Sequence, residues 1–279
     1  MSADPAPRRQ HTQLILTIYG LYGRDEGGAI PVAALIRLLG QFGVPEQGVR
    51  SSMSRLKRRG LIESVRHDGV AAYALSSASE DVFREGDLRI YAEQRARDSD
   101  PWLLAIFSIP EELRDRRHTL RRELSWMGFG TVSPGVWIAP AHLIEQARTH
   151  LSKLDLSQYV TLFAATPLAE NTAEDVARWW DLDALSAQYR AFIASHSPLA
   201  DRWSTVRRGH PRAGRAEAFR DYVPMFTEWR RLPFLDPGLP LRLLPKDWPG
   251  AAAHALLDRL QEHLAPLARD YALEVIRSR

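Results

Sequence analysis

The 279-residue chain has a net charge of only +3, 45% hydrophobic residues and no cysteine. That length is divided more naturally among two or three domains than packed around one simple core. The missing thiols exclude disulfides, thiolate zinc sites and cysteine nucleophiles. No run of about 18 apolar residues marks a membrane span, and the opening MSADPAPRRQHTQ has no apolar stretch of the signal-peptide kind. A cytoplasmic location away from the membrane is expected.

The distribution of charge is more informative than its sum. Residues 1–78 hold ten Lys and Arg against six Asp and Glu, whereas the other 201 residues sum to −1. A basic excess confined to one small module is what a phosphate-binding surface requires, because each phosphate neutralised releases counterions. A solvated basic face would have the same composition, so the pattern along the chain must separate the two.

From Thr12 the chain reads as three helices and a hairpin. TQLILTIYGLYG is apolar on nearly all sides and is expected to form a buried helix stopped at Gly23. PVAALIRLLGQFG starts at Pro31, carries Val32, Leu35, Ile36 and Leu39 at helical spacing, and stops at Gly43. VPEQGVRSSMSRLKRR restarts at Pro45 and ends at Gly60, completing a helix-turn-helix pattern. On a wheel of 100° per residue, Val49, Met53 and Leu56 share one face. Gln47, Ser51, Ser54, Arg55 and Arg58 take the opposite face, with Arg50, Lys57 and Arg59 at its flanks. No acid follows Glu46 until Glu63, unlike a solvent helix, which usually alternates Glu and Lys at four-residue spacing.

LIESVR and AAYAL flank HDGV, and the Asp68-Gly69 pair is a short-range hairpin signal. The module is therefore expected to be a winged helix-turn-helix. Its third helix would enter the major groove of double-stranded operator DNA, and the wing, with Arg66 and His67 at its tip, would lie along phosphates.

Further on, SSASEDVFREGDLRIYAEQRARDSDP reads as a connecting helix and linker over 79–100, with Val82, Phe83, Ile90 and Tyr91 at helical spacing. Strand, helix, strand, helix and strand then follow in WLLAIFSIP, EELRDRRHTLRRELSWMGFG, GVWIAP, AHLIEQARTHL and QYVTLFAA. Leu113, Leu120, Leu124 and Met127 line one side of the first of these helices. This alternation over 101–167 implies a small α+β sandwich, with the ferredoxin-like order as the candidate. Residues 168–279 are helical in pattern, Pro266 is expected to kink or interrupt the last helix, and the Pro-rich PFLDPGLPLRLLPKDWP is expected to wrap the surface as a series of turns. The whole is an α+β, mostly helical chain.

RLLGQFGVPEQGVRSSMSRLKRRGLIE, SWMGFGTVSPGVWIAP, WWDLDALSAQYRAF and FLDPGLPLRLLPKDWPG resemble, in that order, the PaaX family of phenylacetate-degradation repressors. The resemblance implies a GntR-like winged helix over 1–78, a Cas2-like middle domain, a helical C-terminal domain, homodimers, and release from DNA by an aryl-CoA thioester such as phenylacetyl-CoA. One departure is visible: the family's Trp-Asp-Gly-x-Trp lead into the middle domain is DSDPW here. Comparison with the family also singles out the basic run around Arg207, Arg208, Arg212 and Arg215 as a candidate for CoA phosphates. A solvated loop is the commoner use of that composition, and the effector pocket is left unassigned.

Other chemistry finds little support. His142 and His150 are two turns apart rather than one, so no pair of histidines suits a metal, and no metal or cofactor is expected. There is no GxSxG elbow and no GxxxxGK loop; GFGTVSPG lacks dinucleotide-binding spacing and reads as a backbone turn. A Cas2-type metal nuclease would want a carboxylate at the end of its first strand, and WLLAIFSIP has none, while Glu111 and Glu112 sit where acids complement a helix dipole. A non-enzyme is expected, and the alternative is an enzyme acting on a CoA thioester or nucleic acid, with the basic module serving to localise it.

Overall fold

The computed structural model describes residues 5–24, 27–91, 94–166, 172–204 and 214–278, with side chains described from residue 10 onward except at 85 and 88. Contacts divide the chain into two compact units. One comprises Met1–Gly86, Phe192–Trp229 and Ala252–Arg279; the other comprises Asp87–Ala191 and Arg230–Ala251.

The first unit begins with α1 (Pro5–Ile18), which starts earlier than the apolar pattern implies and passes into a π-helical turn over Tyr19–Gly23. A three-residue strand, β1 (Ala29–Pro31), precedes α2 (Val32–Gly40) and α3 (Glu46–Arg58). The wing strands β2 (Ile62–His67) and β3 (Val70–Leu75) follow, then α4 (Ser77–Tyr91). Pro31, expected inside the helix, instead ends β1 and caps α2. β1 pairs antiparallel with β3, Ala29 opposite Ala74, so the sheet order is β1-β3-β2. Proline is tolerated there because β1 is an edge strand.

The core of this unit draws on both ends of the chain. Ile15, Ile18, Tyr19, Leu35, Leu38 and Leu39 are fully enclosed, and Tyr19 donates its hydroxyl hydrogen to the Tyr73 carbonyl at 2.8 Å. Helices α9 (Arg215–Trp229) and α11 (Gly250–Arg277) complete it. Phe219 packs against Tyr22, Phe42 and Tyr271, and the hydroxyls of Thr17 and Thr227 meet at 2.8 Å. Of the two outcomes expected at Pro266, interruption does not occur, and α11 runs through it. Proline deprives the Glu262 carbonyl of its helical donor, but Pro266 faces solvent, and Leu264, Ala268 and Ala272 on the buried side hold the helix together. Of the connecting-helix positions, Val82 and Tyr91 are about half exposed.

The second unit contains β4 (Trp102–Phe107), α5 (Arg114–Trp126), β5 (Gly130–Ser133), β6 (Val136–Pro140), α6 (Ile144–Lys153) and β7 (Val160–Ala165). The sheet order β5-β6-β4-β7, antiparallel throughout, with β-α-β-β-α-β chain order, is the ferredoxin-like arrangement. Leu103, Ala105 and Phe107 alternate along β4 to meet Leu120, Leu124, Ala147 and Leu151 of the two helices. Leu113, placed by the sequence on that apolar side, lies in a preceding 3₁₀ turn and is 39% exposed. Strand β5 was hidden inside GFGTVSPG. Gly128 ends α5 at φ +88°, and a side chain at Gly130 would strike the Trp180 ring at 2.6 Å, so these glycines serve close packing as well as turning. Before Trp102, the Asp100 carboxylate accepts the Arg97 amide at 2.8 Å and closes the turn in DSDPW.

Beyond the sheet, α7 (Ala173–Trp179) is set by a reciprocal capping box between Thr172 and Asp175. Then come α8 (Leu182–Ser204) and α10 (Leu232–Leu235). The Pro-rich segment forms turns as expected but does not lie on the surface: Asp236, Pro237, Gly238, Leu239 and Pro240 are buried. Asp236 makes this possible. Its carboxylate accepts the Tyr189 hydroxyl at 3.0 Å, the Gly238 amide at 2.8 Å and Arg95 at 3.3 Å. Replacing Asp236 by Ala deletes the acceptor of a buried ion pair, and should cost about 3 kcal/mol or more by chemical denaturation. Asp98→Ala, which breaks the exposed pair with Arg242, should cost well under about 1 kcal/mol.

Candidate nucleic-acid interface

Helix α3 is positioned by one stripe. Val49, Ser52, Met53 and Leu56 are buried, at 1% exposure or less, and they pack the helix against α1 and α2. The opposite side follows from helical geometry alone. Gln47, Arg50, Ser51, Ser54, Lys57, Arg58 and Arg59 are exposed, and Arg55 is half-buried. The expected outward face is thus assembled, with one difference at Arg55.

That difference has a local cause. Ser52 was not singled out in the sequence, yet its buried hydroxyl accepts one Arg55 amino group at 2.8 Å, and Ser51 accepts the other at 3.0 Å. Arg55 is therefore bent onto its own helix. Its charge, together with burial as the larger effect, lowers the pKa of the neighbouring His11. Arg50 pairs with Glu46 at 2.7 Å, both ends well exposed, a link that is weak and readily exchanged. Lys57 donates to Ser64 on β2 at 2.9 Å, tying helix to wing. The side chains of Arg58 and Arg59 make no hydrogen bond or ion pair among the described residues, and both residues are exposed.

The wing is built as its sequence implies. Asp68 (φ 49°) and Gly69 (φ 81°) both occupy the left-handed region, which a two-residue type I′ turn demands. His67 pairs opposite Val70. Arg66 donates to the Gly69 carbonyl at 2.9 Å, and the ring of His67, partly exposed, lies 4.0 Å from the Asp68 carboxylate. The tip thus carries two groups able to approach phosphates, each restrained near the turn.

A helix with a polar, cationic outer face beside a twisted hairpin has the right size and donors for a major groove, with serine and glutamine able to reach base edges and arginine to fork onto guanine. Together, this head and the ferredoxin-like sheet define a winged-helix DNA-binding regulator with an additional α+β domain. Family models agree with that class along nearly the whole chain. Residues 10–79 match the PaaX-like protein model, residues 95–177 the PaaX protein central Cas2-like domain, and residues 180–274 the PaaX-like protein C-terminal domain. The chain is also 30% identical over 268 residues to the transcriptional repressor PaaX of Escherichia coli, covering 94% of this chain and 83% of that protein. The chain belongs to the PaaX family of transcriptional regulators. In fold it is similar to an uncharacterised Mycobacterium tuberculosis protein of 24% identity, with a TM-score of 0.59 over 93% of this chain and 97% of that one.

Among the basic residues considered for an effector, Arg207, Arg208 and Arg212 lie outside the described residues. Arg215 is engaged elsewhere, with Asp270 at 3.1 Å and Glu274 at 3.6 Å. His150, one of the histidines tested for metal binding, pairs with Glu123 at 2.9 Å and stacks on Trp126. Among the described residues no group of three or more His, Cys, Asp or Glu is placed to hold a metal ion, and no helix is long and apolar enough to cross a membrane.

The two sides of α3 should separate cleanly in stability. Leu56→Ala should lower unfolding free energy by about 2 to 5 kcal/mol, and Arg58→Ala should leave it within about 0.5 kcal/mol of wild type, both read from urea denaturation.

Proposed function

We propose that the protein is a DNA-binding transcriptional repressor of an aromatic-acid catabolic operon, acting in the cytoplasm as a homodimer and released from its operator by an aryl-CoA thioester such as phenylacetyl-CoA. The observation that carries DNA binding is α3 itself, whose apolar stripe is packed away while Gln47, Ser51, Ser54 and Arg58 stand exposed. Repression is supported by the Escherichia coli relative, a transcriptional repressor. The thioester and the dimer rest on the family resemblance, and two-fold operators favour two-fold proteins. DNA contact is assigned to Gln47, Arg50, Ser51, Ser54, Arg55, Lys57, Arg58 and Arg59 of the helix and to Arg66 and His67 of the wing.

These residues do not carry equal weight. Arg58 is exposed and Arg55 is half-buried against Ser51 and Ser52, so Arg58→Ala should weaken operator binding by about 1 to 3 kcal/mol and Arg55→Ala by less. Affinity should also fall steeply with salt. The operator is obtained by sequencing DNA recovered with the protein, and binding is read by gel shift. If both variants bind as wild type does, the helix assignment fails.

For the effector, acyl-CoAs are screened by thermal shift. An aryl-CoA that binds the native state should raise the melting temperature, by an amount that grows with its concentration. It should be recovered unchanged afterwards, because turnover would establish instead an enzyme that acts on the thioester.

A further inference from the structure

The DNA-reading module does not end at residue 78. The last turn of α11 lies against α2: Arg37 donates to the carbonyls of Val275 and Ser278 at 2.9 and 2.8 Å and to the Ser278 hydroxyl at 3.0 Å. Those contacts span 238 and 241 residues of sequence. The end of a helix carries orphan carbonyls and partial negative charge, and the Arg37 guanidinium covers both. Beside this joint is a groove of about 810 Å³. Val32, Ile36, Val70 and Ile276 contribute apolar lining, and Arg37, Arg50, His67 and Arg277 stand with Glu46 and Asp68 among its polar lining.

Four of the polar lining groups come from elements already assigned to DNA: Glu46 and Arg50 from α3, and His67 and Asp68 from the wing turn. A duplex laid across helix and wing passes over the space between them. Three guanidinium groups there oppose two carboxylates, Glu46 is held by Arg50 through an exposed and exchangeable pair, and Arg277 is exposed. With the negative helix end masked by Arg37, the groove is complementary to a phosphodiester backbone.

We propose that Arg277, at the end of α11, is a DNA-phosphate contact, so that the nucleic-acid surface joins residues from both ends of the chain. This rests on the DNA-binding function proposed above and adds to it a contact about 200 residues away in sequence from the winged helix. Because a phosphate contact does not read bases, it contributes alike on every sequence.

The test uses the full chain, the recovered operator and an unrelated duplex of mixed sequence, titrated over a range of salt. Arg277→Gln should weaken binding several-fold on both duplexes and reduce the steepness of the log affinity against log salt line by about 1. Arg277→Lys should restore most of both. Arg58→Ala, run in parallel, reports on the main helix. If Arg58→Ala weakens binding while Arg277→Gln leaves affinity and salt slope as in wild type, the proposal falls and DNA binding stands. Affinity that rises in Arg277→Gln, or drops with no change of slope, overturns it too. If wild type binds neither duplex, the function and this contact fail together.

Discussion

The packing of Val49, Met53 and Leu56 against α1 and α2 is the constraint on which the proposed DNA-binding surface depends. Burying three side chains of that size contributes on the order of 5 kcal/mol, and it fixes the rotation of α3 about its own axis. A helix rolled by one residue would turn the stripe by about 100°, exposing aliphatic groups and pressing arginine into the core. Burying an unpaired guanidinium costs far more than the stripe contributes, so the cationic face is held outward by what happens on the other side. Ser52 refines this. A buried hydroxyl within an apolar stripe needs a partner, and it finds one in Arg55, the one half-buried cation of the face.

How much of this was legible in the residues varies with the range of the interactions involved. The α3 face, the Asp68-Gly69 turn and the helical middle segments are local features, and 3.6-residue spacing or turn chemistry states them directly. Strand β1 is three residues long and gains its place only by pairing with β3, over 40 residues later. Nothing in Ala29–Pro31 alone distinguishes it from a helix entry, and Pro31 actively suggests one. Strand β5 was concealed for a different reason: its glycines, which resemble a plain turn, are required because the Trp180 ring lies where a side chain at Gly130 would be. A tight approach between distant residues leaves only a small residue behind in the sequence.

The Pro-rich segment makes the same point about polarity. Proline and turn residues ordinarily indicate exposed chain, since a buried turn strands polar backbone groups. Here Asp236 gathers an amide, a phenol and a guanidinium around one carboxylate. That local network lets Pro237, Gly238 and Leu239 enter the interior. The string FLDPGLP was conspicuous as a family resemblance, but its burial depended on Tyr189 and Arg95, neither of which any spacing rule connects to it.

Chain order and physical neighbourhood also diverge in the first unit. Its core is shared by α1, α9 and α11, through contacts such as Thr17 with Thr227 and Phe219 with Tyr22 and Phe42. A winged helix of about 80 residues is small enough to be marginal by itself, and these later helices enlarge the apolar volume that supports it. The same contacts mean that a displacement of α9 or α11 would be felt by α1 and α2, and through them by the stripe under α3, because close-packed interiors transmit strain rather than absorb it. Arg37 is the sharpest of these links: one guanidinium bound to the end of α11 by three hydrogen bonds sits on α2, the helix that backs α3. Any ligand that binds with different affinity to two placements of the C-terminal helices would shift the packing beneath α3 by mass action. The coupling would run through packed side chains within this unit.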